Sequence, residues 1–175
     1  AVLKAKDFKK LYKKTRKEIE SIFGIKIKSR LLIKVWDAHQ IAAAFNETFT
    51  PTPKCDWRSL GFAVRNTNPV VIALENGSPE LEIAKTLIHE MTHVWQYENI
   101  KDIFEPVKDK NAVEGMAVWA EVQYLVSKGL KERAEEYATA RSYENSEYGI
   151  GFLMYRDKFP IQDKPEVHSG TPFNC

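Results

Sequence analysis

The first 24 residues follow the period of a helix with one apolar face. Mostly apolar side chains recur there every three or four positions, so they fall on one side of an α-helix, while lysines fill the other side. Gly24 comes next and predicts the end of this helix, because glycine readily adopts the left-handed conformation that closes many helices. The apolar face consists of Phe8, Leu11, Tyr12, Thr15, Ile19, Ile22 and Phe23.

Between residues 25 and 79 the apolar period shortens, which favours strands. Apolar runs and partial alternation are typical of extended chain, and the turn-prone residues 66–68 separate two of them. Asp37 and Gln40 have the spacing of a capping box and predict a short helix that reaches about Glu47. The predicted strands are residues 31–36, about 59–65 and about 69–75.

A helical period returns after the Asn-Gly turn at residues 76–77. Ser78 can act as the N-cap and Pro79 suits the first helical position, so this helix is predicted to span residues 80–99. Asn99 is a suitable residue for its end. The apolar stripe of the helix consists of Ile83, Leu87, Met91, Val94 and Trp95.

Helices also account for the C-terminal half of the chain. The first is predicted at residues 111–128, with Asn111 as its N-cap and Gly129 as its stop, and residues 129–175 form a helical part and a tail. The order of elements is α-β-α-β-β followed by helices only, which predicts an α+β fold with a small twisted sheet backed by helices. All 175 residues are expected to form one domain, because the length does not suffice for two ordinary ones. The last two helices are predicted at residues 132–142 and about 151–158.

Composition predicts a soluble globular protein. Hydrophobic residues make up 43% of the chain and charged residues 29%, and no apolar run approaches the roughly 20 residues that a membrane span needs. The chain begins with Ala1 and not with Met, which predicts that a leader or tag was removed, so a cytoplasmic and an exported protein are both open. Cys55 and Cys175 do not decide between them, because reduced thiols and a single disulfide are both compatible with the sequence. The oligomeric state is open as well.

The net charge of +2 hides an uneven distribution. Residues 1–34 carry a charge of +9, and the remainder of the chain carries −7. The lysines of the first helix could contact nucleic acid or an anionic membrane. However, the apolar face of the same helix predicts that it packs on the domain, so we expect solvated lysines and no nucleic-acid partner.

Residues 89–93, with the sequence HEMTH, carry the candidate chemistry. On a helix, His89 and His93 lie about one turn apart on the same face, so both imidazoles can bind one Zn²⁺. Glu90 then lies beside the metal and can take a proton from a water molecule whose pKa the metal lowers to about 7. The alternative is a chance motif with histidines bonded to backbone carbonyls. Against it, the chain has only four histidines, and two of them are in this motif.

A catalytic zinc site needs a third protein ligand. Glu114 on the next predicted helix is the main candidate, because the chain can turn and return between His93 and that helix. The alternative role for Glu114 is the N3 position of a capping box that begins at Asn111. Glu121, two turns later on nearly the same face, is a competing ligand or a residue that supports one. Gly115, beside Glu114, would let another backbone approach closely.

These motifs resemble those of the gluzincins, the zinc metallopeptidases with HExxH and a downstream glutamate ligand, and most closely the DA1-like peptidase domain. The resemblance spans about residues 30–155, and HEMTH and the following glutamate-glycine pair are its most specific parts. It implies a zincin-like fold in which His89, His93 and Glu114 bind zinc. It also implies that Glu90 is the catalytic carboxylate. The chain contains no ubiquitin-interacting or LIM module, so the ubiquitin-linked biology of the plant proteins is not implied. Further matching stretches are residues 36–44, 83–95 and 148–152.

The predicted reaction is hydrolysis of peptide bonds in a peptide or protein substrate. Glu90 would deprotonate the attacking water and later pass the proton to the leaving amine. Residues 70–74 are expected to form the edge of the sheet above the metal, where an extended peptide could add as a strand. The tail could fold over the site and restrain the activity. Four side chains are candidates to stabilise the oxyanion, namely Tyr143, Tyr148, Arg156 and His168.

Two other functions fit parts of the sequence. The first is a catalytically silent zinc domain that binds peptides, against which the intact Glu90 argues, because such a site needs no base. The second is a DNA-associated protease of the SprT type, which only the basic first helix supports. Proteases of that type use a third histidine soon after HExxH, and none occurs between His93 and His168. Salt-dependent DNA binding would favour this second alternative.

Overall fold

The fold combines helices with one small sheet. A computed structural model describes the chain over residues 4–49, 60–64, 66–100 and 109–174. Within these ranges the protein is of the α+β class, with six α-helices and three strands. The helices are α1 (Ala5–Phe23), α2 (Ala38–Ala44), α3 (Glu80–Asn99), α4 (Lys110–Ser127), α5 (Lys131–Ser142) and α6 (Glu147–Lys158). The strands are β1 (Leu31–Trp36), β2 (Gly61–Val64) and β3 (Val70–Glu75), and a 3₁₀ turn lies at Pro172–Asn174.

Most predicted elements are present close to their predicted bounds. α1 is closed by Gly24, which has a φ of 63°, and its predicted apolar face is buried except for Tyr12, which is half-buried. The capping box of α2 is also present, because Asp37 and Gln40 each accept with the side chain from the backbone N–H of the other. α6 begins at Glu147, earlier than predicted, because the side chain of Ser146 caps it.

The sheet differs from the prediction in the position of its last strand. β3 pairs with β1 in parallel and with β2 in antiparallel fashion, so it is the central strand of the three that are described. The prediction that residues 70–74 form an edge is therefore wrong. Their unbroken apolar sequence is typical of a strand that is covered on both faces, and all but one residue of β3 are buried. The outer strand β2 lies against α3 instead, where a Cβ on Gly61 would touch the methyl group of Thr86.

Two helices begin at caps other than those predicted. α3 has Pro79 as its N-cap, where Ser78 was predicted. α4 is capped by Asp109, whose carboxylate accepts from a backbone N–H of the first helical turn, so the prediction that Asn111 is the cap is wrong. With the cap at Asp109, Glu114 lies beyond the N3 position, and the capping box that was its alternative role does not form.

α4 and α6 cross at a pair of glycines. A Cβ added to Gly115 would overlap the backbone of Gly151, and a Cβ added to Gly151 would overlap the carbonyl of Asn111. The expectation that Gly115 admits another backbone is thus confirmed. This crossing brings the first turn of α6, with Tyr148, to the part of α4 that carries Glu114.

The C-terminal segment packs on the side of α4 that faces away from Glu114. The side chain of Gln123 donates to the carbonyl of Gln162 and accepts from its backbone N–H, and the indole of Trp119 donates to the carbonyl of Phe159. Nine residues of helix make about two and a half turns, so position 123 lies opposite position 114. The segment up to residue 174 therefore does not fold over that face, contrary to the expectation of a covering tail.

No helix in the part of the chain that the structure describes has both the length and the apolar content needed to cross a membrane. The longest of these helices, α3, has 20 residues but carries polar and charged side chains along its length. Cys55 and Cys175, whose pairing the sequence leaves open, lie outside the described residues.

Candidate metal centre

Three side chains from α3 and α4 bring ligand atoms to one point. Nε2 of His89 lies 3.0 Å from Oε2 of Glu114, and Nε2 of His93 lies 3.2 Å from the same oxygen. The ligand atoms of the three residues all lie within 4.8 Å of one another. This group could hold a metal ion.

The geometry of α3 explains why the two histidines converge. Four residues advance slightly more than one helical turn, so His89 and His93 share a face, and their ring centroids are 4.6 Å apart. Their side chains are 13% and 6% exposed, while the side chain of Glu114 is 22% exposed. The centre is thus shielded from bulk solvent, and Glu114 is its most accessible member.

Gln96 fixes the orientation of His93. Its Nε2 donates to the carbonyl of Val113, so its Oε1 is the atom that lies 2.9 Å from Nδ1 of His93. An amide oxygen only accepts, which means that Nδ1 carries the proton and donates to Gln96. The lone pair of a neutral His93 is therefore on Nε2, the nitrogen that faces Glu114. Gln96 is completely buried, and its bond to Val113 also ties α3 to the start of α4.

Glu121 bonds the outer nitrogen of His89. Its Oε2 lies 3.4 Å from Nδ1 of His89 and accepts from the hydroxyl of Tyr137 at 2.6 Å. Because Glu114 faces Nε2 and Glu121 faces Nδ1, the two carboxylates lie on opposite sides of the ring. The group of converging ligand atoms includes Glu114 and not Glu121. A carboxylate on the outer nitrogen of a histidine is a common support around metal ions, since it fixes the tautomer of the ring.

The inner atoms of the centre require a cation between them. When both rings are neutral, two Nε2 lone pairs and one carboxylate oxygen converge, and all three are acceptors. Such atoms repel one another unless a proton or a metal ion lies between them. Donors about 2.0–2.1 Å from one tetrahedral ion lie roughly 3.3–3.4 Å apart. The separations of 3.0 and 3.2 Å between Glu114 and the two imidazoles are close to that value, so this part of the centre fits a small divalent ion.

A proton satisfies the centre in the protein without metal. Burial disfavours a charged imidazole, but the hydrogen bonds with Glu114 and Glu121 outweigh it and raise the pKa of His89 to about 10. Burial also opposes ionisation of Glu114, yet the hydrogen bonds with His89 and His93 hold the pKa of this carboxyl well below its usual value. The centre therefore attracts positive charge, and a metal ion must displace a proton when it binds.

Glu90 lies beside this centre on α3. It follows His89 directly, which places it about 100° around the helix from that residue. Glu90 is 8% exposed, and it makes no hydrogen bond or ion pair with any residue that the structure describes. Its negative charge contributes to the raised pKa values of both His89 and Tyr148. Glu90 is thus a largely buried carboxylate that lies next to His89 and has no described partner.

Tyr148 is the oxyanion candidate that lies near the centre. Its ring centroid is 6.0 Å from that of His89. Burial and the charge of Glu114 together raise the pKa of the Tyr148 phenol well above its usual value. The phenol is therefore protonated at neutral pH and can donate a hydrogen bond.

The other three oxyanion candidates lie elsewhere. Tyr143 is 86% exposed. Arg156 donates to the hydroxyl of Ser142, and Nε2 of His168 bonds the carbonyl of Ser21 at the end of α1. The structure does not bring these side chains to the centre.

Two residues of the site were not predicted from the sequence. Gln96 follows His93 by three positions on the same helix, a spacing at which side chains meet, so a signal for it was present. Tyr137 has no comparable signal, because its contact with Glu121 depends on how α5 packs against α4.

Comparisons with known proteins add little to this geometry. No model of a protein family matches the chain, and no curated protein sequence matches it either. Among solved structures, the chain is similar to "The crystal structure of the putative lipoprotein from Colwellia psychrerythraea", with 10% sequence identity and a TM-score of 0.41 over 85% of this chain. The chain covers 31% of the length of that protein. A likeness this low carries no conclusion about function.

Proposed function

We propose that this protein is a zinc-dependent metallopeptidase with a zincin-like fold, which hydrolyses peptide bonds in a peptide or protein substrate. One observation carries the proposal, the convergence of two histidine Nε2 atoms on one oxygen of Glu114. Two imidazoles and one carboxylate are a typical ligand set for catalytic zinc, which keeps its fourth position open. Zn²⁺ held by His89, His93 and Glu114 would polarise the scissile carbonyl and lower the pKa of a water molecule.

Glu90 is the general base in this proposal. Its carboxylate takes the proton that the attacking water loses and delivers it to the nitrogen of the leaving amine as the peptide bond breaks. Because Glu90 has no described partner, it can accept and release this proton without breaking an existing hydrogen bond. The position next to His89 supports this role.

Tyr148 donates a hydrogen bond to the oxyanion that forms on the substrate carbonyl. The support for this role is the short distance between its ring and that of His89, together with a phenol that burial keeps protonated. Loss of such a donor typically lowers kcat by about 100- to 1000-fold.

The substrate is proposed to bind as an extended strand beside β2. Of the three strands that the structure describes, β2 lies at one edge of the sheet, and it contacts α3 where Gly61 meets Thr86. Thr86 precedes His89 by about one helical turn, so a peptide added to β2 would run close to the centre. Main-chain hydrogen bonds would then supply a binding affinity that depends little on the sequence of the substrate.

The Glu90→Gln variant tests the proposal. The variant should hold as much zinc as the wild type, measured by mass spectrometry of the metal, but cleave an unfolded protein or a fluorogenic peptide mixture at least about 100-fold more slowly. Glu80→Gln is the matched control, because Glu80 is an exposed residue in the first turn of the same helix. Equal cleavage by Glu90→Gln and wild type would remove Glu90 from the mechanism. A wild type that holds zinc and binds peptides without cutting them would be the silent peptide-binding domain instead.

A further inference from the structure

The hydrogen bonds that support His89 continue past Glu121 into α5. The hydroxyl of Tyr137 donates to Glu121, and Nε of Arg141 donates to the oxygen of that hydroxyl at 3.1 Å. Nη1 of Arg141 in turn donates to both carboxylate oxygens of Glu144, at 3.0 and 2.9 Å. The chain of side chains therefore joins α3, α4 and α5 and ends on a guanidinium that is itself fixed.

Donor chemistry sets one direction for this chain. A guanidinium has only donors, so the oxygen of Tyr137 must accept from Arg141, and its own proton is left to point at Glu121. The ionised carboxylate of Glu121 only accepts, so Nδ1 of His89 must donate to it. In its neutral form, which is the form that binds a metal ion, the His89 ring then carries its lone pair on Nε2, the nitrogen that faces Glu114.

The ring of Tyr137 is also held by cations. Nζ of Lys85 lies 4.2 Å from the ring centroid, and the guanidinium carbon of Arg141 lies 5.1 Å from it. Contacts of this kind stabilise the position of an aromatic ring. Lys85 is itself paired with Glu82 at 2.8 Å, so the arrangement around Tyr137 is anchored on α3 as well as on α5.

We propose that Tyr137 and Arg141 are positioning residues of the metal centre, which hold Glu121 so that His89 presents an unprotonated Nε2 to the ion. This role rests on the proposed function, because it requires that His89 binds metal. Neither residue is among the converging ligand atoms, and their effect passes through Glu121. Helix α5 supplies no ligand in this group, yet it sets part of the affinity of the centre. Outer partners of metal-binding histidines typically account for about 10- to 100-fold in metal affinity.

The Tyr137→Phe variant tests this role, because it removes one hydroxyl and leaves the ring. Its zinc affinity, measured by competition with a chromogenic chelator, should be about 10- to 100-fold weaker than that of the wild type. With Co²⁺ in place of Zn²⁺, the visible absorption bands should shift, because the orientation of His89 around the ion changes. A residue with a merely structural role would not move those bands.

Tyr124→Phe is the matched control. Tyr124 lies on α4 and donates to the carboxylate of Glu18 at 3.0 Å, away from the centre. The control thus loses the same kind of hydrogen bond, and it should keep both the zinc affinity and the cobalt spectrum of the wild type.

A double variant identifies the route of the effect. If Tyr137 acts through Glu121, the Tyr137→Phe change should have little further effect on zinc affinity in a Glu121→Gln background. A full effect in that background would show a different route and overturn the proposal. Unchanged affinity and spectrum in Tyr137→Phe, or equal weakening in Tyr137→Phe and Tyr124→Phe, would overturn it too. A wild type that binds neither Zn²⁺ nor Co²⁺ would instead refute the proposed function.

Discussion

His93 and His89 are oriented by two different kinds of structure. The outer nitrogen of His93 bonds Gln96, a buried neutral amide on the same helix. The outer nitrogen of His89 faces Glu121, a carboxylate on another helix, which depends on Tyr137 from a third. His93 is therefore held by a neutral residue of its own helix, while His89 is held by a charged residue that another helix supplies.

This difference shows which contacts must form before each histidine is correctly oriented. The position of His93 is set once α3 and α4 are paired, because Gln96 also bonds the carbonyl of Val113. The position of His89 requires α5 to be docked and the carboxylate to be ionised. We therefore expect the contact that orients His89 to respond to charge and pH, whereas the amide of Gln96 carries no charge.

The largest effect is expected from Glu114→Ala, which removes the oxygen that both histidines share. Zinc affinity should fall by more than about 100-fold, because the loss of an outer partner alone costs about 10- to 100-fold. Glu121→Ala should fall within that lower range. Chelator competition measures the zinc affinity of both variants. A larger loss of affinity in Glu121→Ala than in Glu114→Ala would mean that Glu121 is the ligand and Glu114 the outer partner.

A smaller effect is expected from Gln96→Leu, which breaks the local support of His93. The variant leaves buried polar groups of His93 and Val113 without their partner, so the free energy of unfolding should fall by about 1–3 kcal/mol. Urea denaturation of the metal-free protein at pH 6 and at pH 9 measures this loss relative to wild type. The loss should be the same at both pH values, because the amide carries no charge. A loss confined to one pH would contradict the neutral character of this support.

The smallest effect is expected from pH alone, and it concerns His89. Glu114 and Glu121 raise the pKa of His89 from 6.5 to about 10, so the folded protein holds this proton more tightly than the unfolded chain does. The corresponding stability is complete below pH 6.5 and is lost as the pH rises through about 10. The metal-free protein should thus lose about 1 kcal/mol between pH 7 and pH 8.

The zinc-loaded protein is the control for the pH experiment. A bound ion replaces the proton at Nε2 of His89, so the loss of stability between pH 7 and pH 8 should be absent or reversed. Denaturation with excess chelator and with excess zinc gives the two curves. If the free energy of unfolding changed with pH in the same way with zinc and with chelator, His89 would not exchange a proton for the ion.

Contacts between residues close in the chain were predictable from the sequence. The spacing of His89 and His93, the capping box of Asp37 and Gln40, and the stop at Gly24 each depend on a single turn of helix. Such a turn has the same geometry in any protein, so the residue types and their spacing are sufficient.

Contacts between elements were predictable only in part. Asp109 and Asn111 are equally suitable caps two positions apart, and only the packing of α4 decides between them. The apolar run of β3 indicated cover on both faces, but not which strands flank it. The contact of Tyr137 with Glu121 joins two helices whose crossing no local pattern specifies.

The glycine contact between α4 and α6 has a mechanical consequence. At Gly115 and Gly151 the two main chains touch without intervening side chains, so no rotamer change can absorb a displacement of one helix. Glu114 is the residue just before this contact. Any shift of α6 against α4 would therefore be passed directly to the backbone that carries the Glu114 carboxylate.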